Sequence, residues 1–167
     1  MPKRILFLLV FIIAAIFFTD IGKHYTYNLL TNIVTNQAVT SIDPEDLYAL
    51  DEPYVLLDVR TPEEYQISHL KNARFVNYNT FQVDEATDIP KDARIIVYCS
   101  IGTRSSKAGV ELQSAGYTNV QNLRGGIFSW VNNGFPVFDA EGETNRIHAY
   151  SRFWGFWLTE GKKVYGQ

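Results

Sequence analysis

Hydrophobic and polar positions follow one another in short blocks along this chain, each introduced by a turn or helix-capping residue. Asp43-Pro44-Glu45-Asp46 reads as a helix start. Asp43 caps, Pro44 fits the first helical position, two acids follow at the positive end of the dipole, and Leu47 and Leu50 face inward. Residues 54–59 are an apolar run, the pattern of a strand buried on both faces. Thr61-Pro62-Glu63-Glu64 repeats the helix start, with Glu64 placed for a capping box. Residues 73–77 form a weaker strand, and 78–92 predict only loop or short helix. Residues 94–98 form a second strongly buried strand that runs straight into Cys99. A helix is predicted from Thr103–Ser105 to Ala115, with Ala108, Leu112 and Ala115 on one face and Gly116 just past its end. Residues 119–123 form another strand. Gly125 and Gly126 follow, then a short helix carrying Ile127, Phe128, Trp130 and Val131 that ends at Asn133-Gly134. Strands alternating with helices predict an α/β fold, a central parallel sheet flanked by helices on both faces in three layers. Such sheets place their sites at the carboxyl ends of strands, where Cys99 sits.

The ends of the chain differ from this middle. Lys3 and Arg4 precede an unbroken apolar run from residue 5 to 18. A basic start and a run of this length read as a signal peptide or, since no small-x-small cleavage site follows, a short membrane anchor over residues 1–20. The run is short for a spanning helix, which needs roughly 20 residues. The basic residues on the inner side direct the remainder away from the cytoplasm, to the cell envelope. Residues 21–38 lack a clear period and read as a linker. Residues 139–167 form an aromatic-rich extension, with Tyr150, Phe153, Trp154, Phe156 and Trp157 close together ahead of Lys162-Lys163. Packing back over the domain is the favoured reading for these aromatics, membrane or partner contact the alternative.

Composition narrows the chemistry. A chain of 167 residues with 46% hydrophobic and 20% charged residues suits one packed domain with short additions. A net charge of −3 gives no basic footprint for nucleic acid. With one cysteine there is no intramolecular disulfide and no multi-cysteine metal site. His24, His69 and His148 lie far apart and form no short ligand cluster, so no metal is expected. A lone thiol in an exported protein calls for a chemical reason.

Cys99-Ser100-Ile101-Gly102-Thr103-Arg104-Ser105 supplies one. At a strand–loop–helix junction, a loop wrapped around a sulfur atom turns its backbone N–H groups inward. With the helix N-terminus they make a pocket of positive potential. Gly102 permits the curvature and Arg104 adds a charge. All three favour negative charge on the Cys99 sulfur, and the same pocket suits a persulfide anion and an anionic sulfur donor. The alternative fate of a free cysteine is a small buried hydrophobe. The glycine, arginine and helix start converging on one loop argue against it.

Four stretches, in order, resemble the rhodanese family across residues 39–138. Asp58-Val59-Arg60 with Glu63, Glu64 and Tyr65 is similar to the family's first signature. Ser68-His69-Leu70-Lys71-Asn72-Ala73 is similar to its Gly-His-Ile-x-Gly-Ala element, with Ser for Gly, Leu for Ile and Asn for Gly. Cys99 to Arg104 resembles the active loop. Leu123-Arg124-Gly125-Gly126 through Trp130 to Gly134-Phe135-Pro136 resembles the closing motif. The resemblance implies a sulfurtransferase that carries sulfur on Cys99 as a persulfide. It implies that Ser100, Ile101, Gly102, Thr103 and Arg104 hold the terminal sulfur and that Arg60 either helps bind the anionic donor or forms a structural ion pair. Asp58 is expected to hold the strand end, and His69 to bond to backbone and shape a turn. No cofactor is expected. The donor is expected to be small and anionic, thiosulfate-like. The acceptor, an external thiol, cyanide or a protein cysteine, must come from outside because no second cysteine resolves the persulfide. Two rivals remain: a non-catalytic binding module, and a phosphatase or arsenate reductase of the same fold. The phosphatases have one more residue between cysteine and arginine, and four residues separate Cys99 from Arg104.

Overall fold

The computed structural model describes residues 17–80 and 88–166, so most of the segment expected to be a signal peptide or short membrane anchor (1–20) and part of the 78–92 loop lie outside the described residues. Helix α1 (Asp20–Val34) comes first, capped by Thr19, whose hydroxyl accepts the Gly22 N–H. There follow β1 (Thr40–Ile42), α2 (Pro44–Tyr48), β2 (Val55–Asp58), α3 (Pro62–Ile67), β3 (Arg74–Phe75), β4 (Arg94–Tyr98), α4 (Thr103–Ser114), β5 (Asn119–Leu123) and α5 (Gly126–Asn132). The tail adds a hairpin of β6 (Val137–Asp139) and β7 (Gly142–Thr144). Strand β8 (Arg146–His148) then pairs with β9 (Lys162–Val164), with a 3₁₀ turn at Trp154–Phe156 between them.

Strands β1–β5 form one parallel sheet in the order β1-β5-β4-β2-β3. Alternate residues feed opposite faces. Leu56, Ile96 and Tyr98 join one core with Tyr27 of α1, Leu47 of α2 and Ile127 and Phe128 of α5. Leu57, Ile95, Val97 and Cys99 join the other with Ala108 and Leu112 of α4. Both faces are covered, which is why the strands read as apolar runs rather than as alternation. The capping box of α3 is present: Thr61 accepts the Glu64 N–H while the Glu64 carboxylate accepts the Thr61 N–H. Asp43 precedes α2 but makes no capping bond. Its carboxylate instead accepts from Arg124 Nε, just beyond β5.

Residues 21–38, read from sequence as a linker, are a correction. Most of them form α1, with Tyr27 and Thr31 buried and the Tyr27 hydroxyl donating to the Gly125 carbonyl. The period was hidden because apolar residues occupy both faces of this helix. Ile21, Tyr25, Leu29 and Ile33 all point to solvent, 63–71% exposed. The C-terminal extension folds back. Ile147, Ala149, Trp157 and Leu158 are buried in the same core as Tyr27. Trp157 Nε1 donates to Thr26 Oγ1 of α1 at 3.0 Å, and its carbonyl accepts from Asn132 Nδ2 at 2.8 Å.

One buried polar cluster ties the ends of β2 and β4 to the loop after α3. Arg60 Nη2 lies 2.6 Å from Asp58 Oδ2 and also donates to the Ser68 carbonyl. The Tyr98 hydroxyl donates to Asp58 and accepts the Leu70 N–H at 3.0 Å. Burial pulls the Arg60 guanidinium down, but the charge and hydrogen bonds of Asp58 outweigh it and hold Arg60 above its ordinary value. Arg60 is entirely buried. The donor-binding role offered for it above is therefore corrected: the side chain is sealed in the interior, with Nε and Nη2 taken by Asp58 and the Ser68 carbonyl, while Nη1 is buried with no hydrogen-bond partner among the described residues. Arg60→Met leaves a buried carboxylate uncompensated. It should lower the unfolding free energy in urea titrations by about 3–5 kcal/mol.

Candidate active site

The loop from Cys99 to Gly102 leaves the carboxyl end of β4 and enters α4. Its shape is set from behind, by the start of α5. Ile127 N–H donates to the Cys99 carbonyl at 2.9 Å and Phe128 N–H to the Ser100 carbonyl at 3.2 Å. Gly126 makes this approach possible, since a Cβ there would lie 2.3 Å from the Cys99 oxygen. With two carbonyls drawn backwards, the loop's amides are free to turn the other way. Gly102, at φ +98°, completes the turn and donates its N–H to Cys99 Sγ at 3.2 Å.

A second donor stands beside the sulfur. Ser105 Oγ lies 3.4 Å from Sγ and 2.7 Å from Asn122 Oδ1. Asn122 is oriented by donating Nδ2 to the Gly102 carbonyl at 3.2 Å, which presents its oxygen to Ser105. A hydroxyl has one hydrogen, so Asn122 and Cys99 compete for it. Charge on the sulfur shifts that competition toward Sγ.

Arg104 does not stand free over the sulfur. It grips Glu64 with both arms, Nη1 to Oε2 at 2.6 Å and Nη2 to Oε1 at 2.7 Å, and Nη2 also donates to Ser100 Oγ at 2.9 Å. The Ser100 hydroxyl donates to Glu64 as well. Burial pushes the Glu64 carboxyl up, but the Arg104 hydrogen bonds and charge, the Ser100 hydroxyl and Arg60 together bring it down to about 2. Burial likewise pulls Arg104 down, and the Glu64 hydrogen bonds, the charge of Cys99 and the charge of Glu64 together more than restore it.

Cys99, Ser100, Ile101, Thr103 and Arg104 line one cavity of about 270 Å³. Of the residues expected from sequence, Gly102 contributes its amide, and Thr103 Oγ1 is buried with no hydrogen-bond partner among the described residues. Ser100 is turned to Glu64 rather than to the sulfur. Arg60 is not part of the lining. Sequence reasoning missed Ser105, Asn122 and Glu64 as parts of the site. It also missed Val34 of α1 and Tyr150 and Trp154 of the tail, which complete the cavity wall. His69 lies outside it, with Nδ1 3.1 Å from the Tyr65 carbonyl and its ring stacked on Tyr65. Among the described residues no group of acids, histidines and cysteine is arranged to hold a metal ion.

This fold and loop define a class. The family model described as "Rhodanese-like domain" matches residues 43–133, more than half of the chain, and the chain belongs to that family. It is 36% identical over 107 residues to a protein named "Sulfurtransferase" from Allochromatium vinosum, covering 62% of this chain and 99% of that one. It is 34% identical over 121 residues to "Thiosulfate sulfurtransferase 18" of Arabidopsis thaliana, covering 64% and 89%. The chain spans only 25% and 27% of the length of two larger proteins it also matches. Among solved structures it resembles the rhodanese-like domain of an Anabaena protein, with a TM-score of 0.55 and 28% identity over 59% of this chain and 78% of that one.

The Glu64 carboxyl, depressed from an ordinary value of 4.5 to about 2, gives a pH signature. A depressed acid contributes stability that is complete above its unfolded value and is lost as pH falls toward its folded one. Denaturation midpoints of the wild type should therefore drop between pH 4.5 and about 2 more steeply than those of Glu64→Gln, which lacks the titrating group.

Proposed function

We propose that the protein is a sulfurtransferase that moves a sulfane sulfur from a small anionic donor to a nucleophilic acceptor through a persulfide on Cys99. The observation that carries this is the Gly102 N–H aimed at Cys99 Sγ from 3.2 Å, on the floor of a cavity. In the first step the Cys99 thiolate attacks the outer sulfur of the donor. The donor's S–S bond breaks with its electron pair, and the remainder leaves as an anion, sulfite where the donor is thiosulfate. In the second step an external thiol, cyanide or a partner's cysteine attacks the terminal sulfur and regenerates the thiolate, a form of covalent catalysis. Gly102 N–H and the Ser105 hydroxyl steady the charge on the sulfur, and the α4 N-terminus adds its dipole.

Arg104 weighs against the phosphatase rival. A loop that grips a transferring phosphoryl group needs its arginine fork for the oxygens. Here both arms of that fork are engaged by Glu64.

Thiosulfate should add about 32 Da to the intact chain, one persulfide sulfur, and cyanide should remove it with release of thiocyanate. Cys99→Ser should acquire no mass. A Cys99→Ser protein with undiminished thiocyanate production would sink the mechanism, and a wild type that binds thiosulfate without gaining mass would favour the non-catalytic module.

We also propose that the protein is exported and held at the cell envelope through its N-terminal segment. The support is the exposed apolar face of α1, built from Ile21, Tyr25, Leu29 and Ile33, directly after the apolar run of the leader. No helix among the described residues is long and apolar enough to cross a membrane. The full chain should float with phosphatidylcholine vesicles, and the triple variant Ile21→Ser, Leu29→Ser, Ile33→Ser should float less. Equal flotation would assign the attachment to the leader alone, and recovery of both proteins at the bottom of the gradient would refute it.

A further inference from the structure

The cavity above Cys99 has walls of unusual origin and character. Val34 closes α1, and Tyr150 and Trp154 come from the tail, so three of its lining residues lie outside the family match at 43–133. With Ile101 they make the upper wall apolar and half aromatic. Tyr150 is held there in the left-handed region, at φ +60°, a conformation that non-glycine residues rarely adopt. Its N–H donates to His148 Nδ1, and its ring faces the Arg104 guanidinium 5.2 Å away.

The charge balance of the cavity is the second observation. Among the described residues Arg104 is the one cation in its lining, and Glu64 neutralises it through two hydrogen bonds. Arg60 is sealed off with Asp58. What remains for a ligand is the partial positive charge of amide groups and of one helix N-terminus, worth about half an elementary charge. Such a pocket compensates a single negative charge far better than two. A dianion would enter only by shedding a hydration shell that the apolar wall does not replace. Thr103, which lines the same cavity as Cys99, has a buried Oγ1 with no hydrogen-bond partner among the described residues, a donor available to a ligand oxygen or terminal sulfur.

We infer that the preferred sulfur donor is a singly charged sulfane-sulfur compound carrying an aryl or alkyl group, which packs against Val34, Tyr150 and Trp154. This rests on the persulfide reading above. With an organic thiosulfonate the step balances as Cys99–S⁻ + R–SO₂–S⁻ → Cys99–S–S⁻ + R–SO₂⁻. The Sγ–S bond forms, the donor's S–S bond breaks, and its electron pair leaves on the sulfinate. One charge enters and one leaves with the products, and no outside oxidant or reductant is needed. An organic persulfide, R–S–S⁻, shares the charge and the apolar group and leaves as a thiolate.

The test is single-turnover loading of the full chain, read as mass gained at Cys99. The probes are benzenethiosulfonate, methanethiosulfonate anion and thiosulfate at one ionic strength. Each rate is divided by that donor's own rate with cyanide in solution, which removes intrinsic reactivity. Benzenethiosulfonate should then exceed methanethiosulfonate by about tenfold, the size expected for burying a ring against an apolar wall. Both should exceed thiosulfate. Trp154→Ala should bring the benzene-to-methane ratio close to one, and Trp154→Phe should keep most of it. A ratio near one in the wild type, or thiosulfate loading fastest, overturns the inference and leaves the persulfide chemistry standing. A ratio that survives Trp154→Ala and Val34→Ser overturns the role of the wall. Failure of all three donors to load Cys99 overturns the persulfide reading instead.

Discussion

Two carbonyl groups pulled backwards govern the active loop. The amides that open α5 take the oxygens of Cys99 and Ser100, and they reach them only because position 126 carries no side chain. A peptide unit has two ends, so fixing the oxygens on the α5 side commits the opposite faces of the loop to the cysteine. The Gly102 N–H then meets the sulfur, α4 begins in register behind it, and Ser105 arrives one turn later. The cradle around the sulfur is thus a by-product of how a helix start packs against a strand end. Rigid scaffolding of this kind lets a polar site sit in an apolar interior without reorganising during a reaction.

Local signals made the frame of this molecule legible in the sequence. The buried strands announced themselves as apolar runs, and Thr61-Pro62-Glu63-Glu64 announced a capping box that the structure contains. The glycine and arginine around Cys99 pointed to a loop that cradles a sulfur. What stayed hidden depended on partners far apart along the chain. Glu64 was legible as a capping residue, yet its grip on Arg104 spans 40 positions. Asn122 meets Ser105 only once β5 is laid beside β4. Arg60 offered two readings, and only its burial beside Asp58 decides between them. Helix α1 was misread for a different reason. Its two apolar faces, one against the domain and one toward solvent, cancel the periodicity by which amphipathic helices are recognised.

The two arginines illustrate how a fold sorts charge. Both were candidates for gripping an anion, and both are paired with carboxylates. The Arg60–Asp58 pair is fully buried and stitches strand ends together. The Arg104–Glu64 pair lies at the edge of the cavity, the arginine side chain 16% exposed, and fixes the loop's outer rim. Neither leaves a bare cation beside the sulfur. With both guanidinium groups compensated by carboxylates, oriented backbone dipoles, which are short-ranged and directional, carry much of the attraction for a negatively charged atom, and they favour a single well-placed charge.

The roof over the thiol is drawn from opposite ends of the polypeptide. Val34 lies early in the chain, Tyr150 and Trp154 near its end, and the Trp157–Thr26 hydrogen bond joins the two segments across 131 positions. Contacts of such separation are costly to close and form late in folding. The sheet therefore assembles, with the Cys99 sulfur still uncovered, before the tail docks over it. The interval between sheet assembly and docking of the tail is the period in which this sole cysteine is most open to oxidation.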